Sequence, residues 1–238
     1  HWFEKEDDGE AGVDIREFEI PEWRLERLLG VNGFRCPPEY RTRARYTTTG
    51  GEEVTNYGLT VPFLRFPQWH YCPACRRLER VPLTVSETHY RCRECQQNDK
   101  RRTMVQVPFV AICEHGHILD FPWIEWAHSS TSPQCSGPLR LISTGSPTLA
   151  GQKVVCDACG RERTLEGITL EGAVTNNLQA EGEFPCPGTK PWLGEGSADG
   201  DGCGLPLRGS LRSAANIYYA RVRSALYVPQ SAGRTEQI

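Results

Sequence analysis

The fold class expected from this sequence is α+β: small irregular modules of short antiparallel strands, joined by a central apolar segment and followed by a C-terminal helix. Three observations lead there. Eleven cysteines occur in 238 residues, and six of them fall in CxxC pairs. The apolar fraction, 38%, is low for a single large core, while 23 glycines and 17 prolines imply many turns and short elements. One stretch, Val107 to His128 (VPFVAICEHGHILDFPWIEWAH), is both strongly apolar and rich in donor side chains. It carries Cys113, His115, His117, Asp120, Glu125 and His128 among Phe109, Phe121, Trp123 and Trp126.

In chain order, residues 1–20 hold eight acids against two bases and read as a solvated acidic arm. Pro21 to Leu29 (PEWRLERLL) predicts a short helix opened by Pro21 and closed by Gly30, with Trp23 and Leu25 to Leu29 as a small core face. Residues 31–60 lack periodicity and read as extended chain. Leu59 to Trp69 is apolar but cut by Pro62 and Pro67, which argues for an edge rather than a central strand. Arg101 to Ile112 predicts a strand limited by Pro108. Phe121 to His128 predicts a two-turn helix capped by Asp120. Residues 138–155 read as two strands around SPTLAGQ, 161–185 as short strands and loops, and 194–204 as a Gly/Asp loop. Ser210 to Val228 has Leu211, Ala214, Ala215, Tyr218, Val222, Ala225 and Leu226 at helical spacing and ends at Pro229. The expected organisation is an arm (1–20), an N-terminal part with the first cysteine module (21–106), a central aromatic bridge (107–155), and a second module with the helix (156–238).

The cysteine pattern points to metal. CxxC suits two corners of a tetrahedron around Zn²⁺. A secreted disulfide scaffold fits poorly, because the cysteine count is odd and HWFEKEDDGE at the start has no signal-peptide character. No run of 18 apolar residues exists, so no membrane span is expected and a cytoplasmic setting is the default. The first array, Cys72, Cys75, Cys92 and Cys95, has the spacing CxxC-x16-CxxC of a zinc ribbon. The second is assigned to Cys156, Cys159, Cys186 and Cys203, where the last two sit in the tight turns PCPG and DGCG. A candidate third set is Cys113, His117, His128 and Cys135. Its alternative is a buried cysteine with hydrogen-bonded histidines. Four protein donors leave no open position, so such sites are structural. Two zinc ions are therefore expected, with a third left open between these alternatives.

Catalytic motifs are absent. The chain has no HExxH, no zinc-deaminase pairing of HxE with PCxxC, no GxxxxGK[ST] and no GxSxG. No catalytic residue and no small-molecule substrate are expected. The net charge of -3 argues against a general polyanion binder. A local patch remains: from Cys72 to Arg102 eight bases stand against four acids. Arg76, Arg77, Arg91, Arg93, Lys100, Arg101 and Arg102 are its candidate phosphate contacts, with His89 or Tyr90 able to stack on a base.

Five strings together resemble the DrmB-like proteins of DISARM anti-phage defence systems, a helicase-associated zinc-binding domain family. They are FRCPPEY (34–40), LRFPQWHYCPAC (64–75), VPFVAICEHGHILDFPWIEWAH (107–128), CPGTKPWLG (186–194) and LRGSLRSAANIYYARVRSALYVP (207–229). This resemblance implies a prokaryotic cytoplasmic subunit without its own motor, working beside a superfamily 2 helicase with DNA as the shared ligand. It also implies a longer protein of which this chain is a portion, or a shortened relative. Two other readings stay open: a pure protein–protein scaffold of a defence complex, and a metal-dependent nuclease at the central segment.

Overall fold

In this computed structural model the described residues are 4–5, 15–37, 59–61, 63–85, 87, 89–146, 148–178, 184–194, 202–218 and 221–226. Most of the acidic arm, most of the 31–60 stretch and most of the 194–204 loop lie outside them. The chain divides into two compact units, His1–Phe63 with Ala220–Ile238, and Leu64–Tyr219.

In the first unit, β1 (Glu4–Lys5) pairs antiparallel with β4 (Leu59–Thr60), and β2 (Glu19–Ile20) pairs with β3 (Phe34–Arg35). Between β2 and β3 runs α1 (Trp23–Leu29), which stops where Gly30 takes the left-handed conformation, φ 67°. The expected helix is there, but its apolar face is not core. No residue of α1 is buried, and Trp23 is 60% exposed, with the Arg24 guanidinium 4.4 Å from its ring centroid.

The second unit holds the cysteine clusters. A six-stranded antiparallel sheet runs in the order β12-β11-β10-β6-β5-β7. Its strands are β5 (Trp69–Tyr71), β6 (Arg77–Arg80), β7 (Val105–Gln106), β10 (Leu139–Ser143), β11 (Gln152–Cys156) and β12 (Glu162–Thr164). A three-stranded sheet has the order β13-β8-β9, from β8 (Phe109–Ile112), β9 (Ile118–Asp120) and β13 (Arg208–Leu211). The expected module boundaries at residues 106 and 155 run through the six-stranded sheet, because β6 pairs directly with β10 (Leu78 opposite Leu139) and β10 with β11.

Pro108 explains why 101–112 is two strands rather than one. It cannot donate to a ladder, and the chain changes sheets there: β7 pairs with β5, and β8 with β9 and β13. The helix α3 (Trp123–His128) follows β9, with Pro122 at its N-cap. Asp120 does not cap it; its Oδ1 accepts the Gln68 backbone N–H at 2.8 Å. A helix that the 161–185 reading missed, α4 (Ala173–Leu178), buries Ala173, Val174, Thr175 and Leu178.

The C-terminal helix expected over 210–228 does not form among the described residues. Residues 208–211 extend as β13 opposite β8, with Gly209 facing Ala111. Turns follow through residue 217, and 221–226 have no regular structure. Cross-strand pairing to a buried strand outweighs weak local propensity. Tyr218, Val222 and Leu226, the intended apolar stripe, are about four-fifths exposed (78%, 81% and 83%).

One core spans both sheets. Phe109, Phe121, Trp123 and Trp126 are its largest side chains, each at most 1% exposed. Their rings meet edge-on or tilted, with centroids 4.8 Å apart for Phe121–Trp123 and 5.6 Å for Phe121–Trp126.

Candidate metal centres

Among the described residues of the second unit, three groups of four Cys/His side chains converge, and within each group the donor atoms lie within 4.8 Å of one another. Each combines donors close in sequence with donors brought from elsewhere.

The first group is Cys72, Cys75, Cys92 and Cys95. Cys72 and Cys75 form the tip of the β5–β6 hairpin. Arg77 O accepts from Cys72 N–H (2.9 Å) and Cys72 O from Arg76 N–H (2.9 Å), which curls the chain so that both sulfurs face one side. Cys92 caps and Cys95 lies in α2 (Arg93–Gln97). The Sγ–Sγ separations are 3.7 Å for Cys72–Cys95 and 3.5 Å for Cys75–Cys92.

The second group is His128, Cys135, Cys156 and Cys159. Its knuckle, at the β11–β12 tip, repeats the first bond for bond: Cys156 N–H donates to Arg161 O (2.8 Å), and Gly160 N–H to Cys156 O (2.9 Å). The residue after the second cysteine is left-handed in both, Arg76 at φ 68° and Gly160 at φ 71°. Cys135 Sγ is 3.7 Å from Cys156 Sγ, and His128 Nε2 is 3.3 Å from Cys159 Sγ. His128 Nδ1 lies 2.7 Å from Ile124 O. A carbonyl only accepts, so Nδ1 carries the proton and Nε2 keeps the lone pair that faces the sulfurs.

The third group is Cys113, His117, Cys186 and Cys203. Cys113 follows β8, and a tight turn with Gly116 at φ 80° folds His117 back on it, Cys113 Sγ to His117 Nδ1 being 3.5 Å. Cys186 and Cys203 are joined through backbone, with Cys203 N–H and Gly204 N–H both donating to Cys186 O at 3.0 Å. Cys113 and Cys203 sulfurs are 3.9 Å apart. His115 Nδ1 stands 3.5 Å from Cys203 Sγ, a fifth donor at the rim.

These groupings correct two of the three expected sets. Cys156 and Cys159 meet His128 and Cys135, not Cys186 and Cys203, and Cys113 and His117 meet Cys186 and Cys203, not His128 and Cys135. The reason is strand pairing. β13 lies against β8 and carries the 202–207 segment to Cys113. The bond from Asp157 N–H to Pro138 O (2.8 Å) holds the Cys135 turn on the β11–β12 knuckle beside the end of α3. Nearest-neighbour spacing could not see these long-range pairings. The usable sequence signals were the HGH turn and a histidine ending a helix. Among the described residues Cys36 belongs to no such group, and it is exposed.

The donor sets suit a tetrahedral cation. Zinc–ligand bond lengths place paired sulfurs about 3.8 Å apart and a sulfur and imidazole nitrogen about 3.6 Å apart, close to the separations above. Electrostatics favour thiolate at each knuckle's first cysteine. Burial alone would raise Cys156, but the N–H groups of Cys159 and Ala158 and the thiols of Cys159 and Cys135 outweigh it and hold it at about 6. Against the same burial, Cys72 is lowered by the N–H groups of Cys75 and Ala74. Cys186 is pushed up to about 12 by burial and by the neighbouring Cys113 and Cys203 sulfurs, so a cation is needed to hold it as thiolate.

The first two knuckles are tied together. Arg140, on β10, forks to Asp157 (Nε to Oδ2, 2.8 Å), to Glu94 (Nη2 to Oε1, 2.9 Å) and to the Cys75 carbonyl. Arg77 reaches the same two acids at 3.6 and 3.9 Å. Of the seven bases expected to face phosphate, Arg77 is thus engaged internally, while Arg76, Arg91, Arg93, Lys100, Arg101 and Arg102 are exposed. Arg91 and Arg93 line an open hollow of about 560 Å³ with His89 and Tyr90, and the Arg93 guanidinium sits 6.0 Å from the Tyr90 ring centroid. No helix among the described residues is long and apolar enough to cross a membrane.

Comparison with known proteins supports the resemblance carried by the five strings. The chain is 28% identical over 186 residues to the DISARM protein DrmB of Bacillus paralicheniformis (strain ATCC 9945a / NCIMB 11709 / CD-2). That match covers 75% of this chain but 30% of the relative, so the chain spans less than a third of that protein's length. The family described as Domain of unknown function (DUF8724) matches residues 1–219, and the chain, a DrmB-like protein in sequence, belongs to that family.

Proposed function

We propose that this chain is a zinc-braced, non-enzymatic module of a prokaryotic cytoplasmic DISARM-type defence complex, which associates with a superfamily 2 helicase and helps it engage DNA. The observation that carries the reading is the set of three four-donor clusters inside one unit, with spacings that fit tetrahedral zinc. Four protein donors per ion leave no position for water or substrate, which favours a structural role over a metal-dependent nuclease. What the ions hold in place is a ribbon whose exposed Arg76, Arg91, Arg93, Lys100, Arg101 and Arg102 can meet phosphates while Tyr90 offers a stacking face.

The test is binding of the zinc-loaded chain to single-stranded DNA across a salt series. Affinity should fall steeply with salt, and charge reversal at Arg91, Arg93, Arg101 and Arg102 should flatten the slope by about one for each phosphate no longer neutralised. Absent or salt-independent binding would sink direct DNA contact. One observation favours the alternative, a protein–protein scaffold: Trp192 and Leu193 are 58% and 67% exposed side by side on a short 3-10 turn. Co-purification with the helicase that survives the four charge reversals but not Trp192→Ala would favour that reading.

A further inference from the structure

A cavity of about 450 Å³ opens at the end of the β5–β6 hairpin opposite the first knuckle. Three segments far apart in sequence meet there: Phe66 and Gln68 from LRFPQWHYCPAC, Leu119 and Asp120 from the central apolar stretch, and Pro187 and Thr189 from CPGTKPWLG. Arg80 joins them from the end of β6, where it pairs with Trp69. None of these residues belongs to a cysteine cluster, and Arg80, an exposed base, is not one of the six exposed bases named above.

The polar groups of the cavity are held in place. Gln68 is 5% exposed; its Oε1 accepts from Arg80 Nη2 at 2.7 Å and from Nε at 3.2 Å, while its backbone N–H holds Asp120. Arg80 is thus oriented by a neutral amide, and its charge acts on the nearby Asp120 carboxyl. The Asp120 carboxyl, fixed by the N–H groups of Gln68 and Trp69, is raised above its ordinary range by burial. The Thr189 hydroxyl oxygen is fully buried and has no hydrogen-bond partner among the described residues. A buried hydroxyl without a partner carries a desolvation cost that a ligand can relieve.

This combination excludes simple occupants. A phosphate would meet the Asp120 carboxylate, and a bare cation would meet Arg80. A hydrocarbon or proline side chain would leave the Thr189 hydroxyl without a partner and would cover the remaining hydrogen-bonding capacity of Arg80 and Asp120. What fits is a neutral, flat molecule with donors and acceptors along one edge and apolar faces for Phe66, Leu119 and Pro187. A nucleobase has that form: its edge is read by hydrogen bonds and its faces by apolar contact. The volume lies within the range of small-ligand pockets.

We propose that this cavity receives one base of a single-stranded nucleic acid, with Asp120, Arg80 and Thr189 reading its edge. The proposal rests on the reading that this chain engages DNA, and it separates base capture from phosphate contact.

The test compares the zinc-loaded full chain on a labelled oligonucleotide and on an equally long abasic strand, by fluorescence anisotropy at fixed salt. The base-bearing strand should bind about tenfold more tightly, the scale of one stacked and hydrogen-bonded base. Thr189→Val and Asp120→Asn should each bring that ratio down by about threefold or more, with the salt slope unchanged. Equal binding of the abasic strand, or variants that keep the full base preference, would overturn base capture while leaving the phosphate reading standing. No binding of either strand would remove both. Because Asp120 also anchors backbone, a second readout uses the wild-type chain: a strand carrying a photoreactive base should crosslink to residues 66–68 or 187–191. Crosslinks confined to 89–102 would place the base elsewhere and overturn the proposal.

Discussion

The left-handed residue that closes each knuckle is glycine in one, Gly160, and arginine in the other, Arg76. The two hairpin tips share their hydrogen bonds, so the difference isolates the cost of a side chain at positive φ. Gly160→Ala should cost about 1 kcal/mol in urea melts, whereas Arg76→Gly should leave stability unchanged or raise it by up to about 1 kcal/mol. A clear loss on Arg76→Gly would mean that its side chain makes interactions that outweigh the strain. Gly137 is constrained for another reason. A Cβ there would lie 2.4 Å from Ala158 Cβ and 3.2 Å from Cys156 Sγ. Gly137→Ala should therefore push the Cys135 turn off its knuckle, destabilise the fold by about 1–3 kcal/mol and lower zinc occupancy at the His128 cluster alone. Zinc analysis alongside the melts would check this, and loss from all three clusters equally would contradict it.

Among the elements, hairpins were far more legible in the sequence than their partners. The CxxC spacing marked both knuckles, SPTLAGQ marked the β10–β11 connection, and Gly30 marked the end of α1. These are local signals, fixed by turn chemistry and metal-ligand geometry. Helical periodicity over 210–228 misled, because Gly209 and its neighbours extend against β8, and a short-range helical preference is small beside a buried strand pairing. Ligand partners were illegible for a related reason: the order of cysteines along the chain does not record which strands lie side by side. Arg140 shows how two hairpins become one element. It binds Asp157 of one knuckle and Glu94 and the Cys75 carbonyl of the other. Arg140→Gln should cost about 2 kcal/mol, and Arg140→Lys should not rescue it, since an ammonium cannot fork to both acids. Chemical denaturation compares the three proteins; full rescue by lysine would reduce the contact to simple charge.

For the whole molecule, three clusters share one compact unit, so metal and fold should be lost together in Leu64–Tyr219. A strong chelator at neutral pH should abolish the near-ultraviolet signal of the buried Trp123 and Trp126 and the cooperative melt in parallel with zinc release. Retention of both after complete zinc removal would show a core that stands without metal. The pairing of donors is the claim on which the rest depends, and zinc per chain measures it most directly. The wild-type chain should carry three zinc ions, one for each cluster. Cys113→Ser combined with Cys186→Ser, both in one cluster, should leave two, whereas Cys113→Ser combined with Cys135→Ser, from different clusters, should leave one. The reverse order, one zinc for the first pair and two for the second, would contradict the clusters described here.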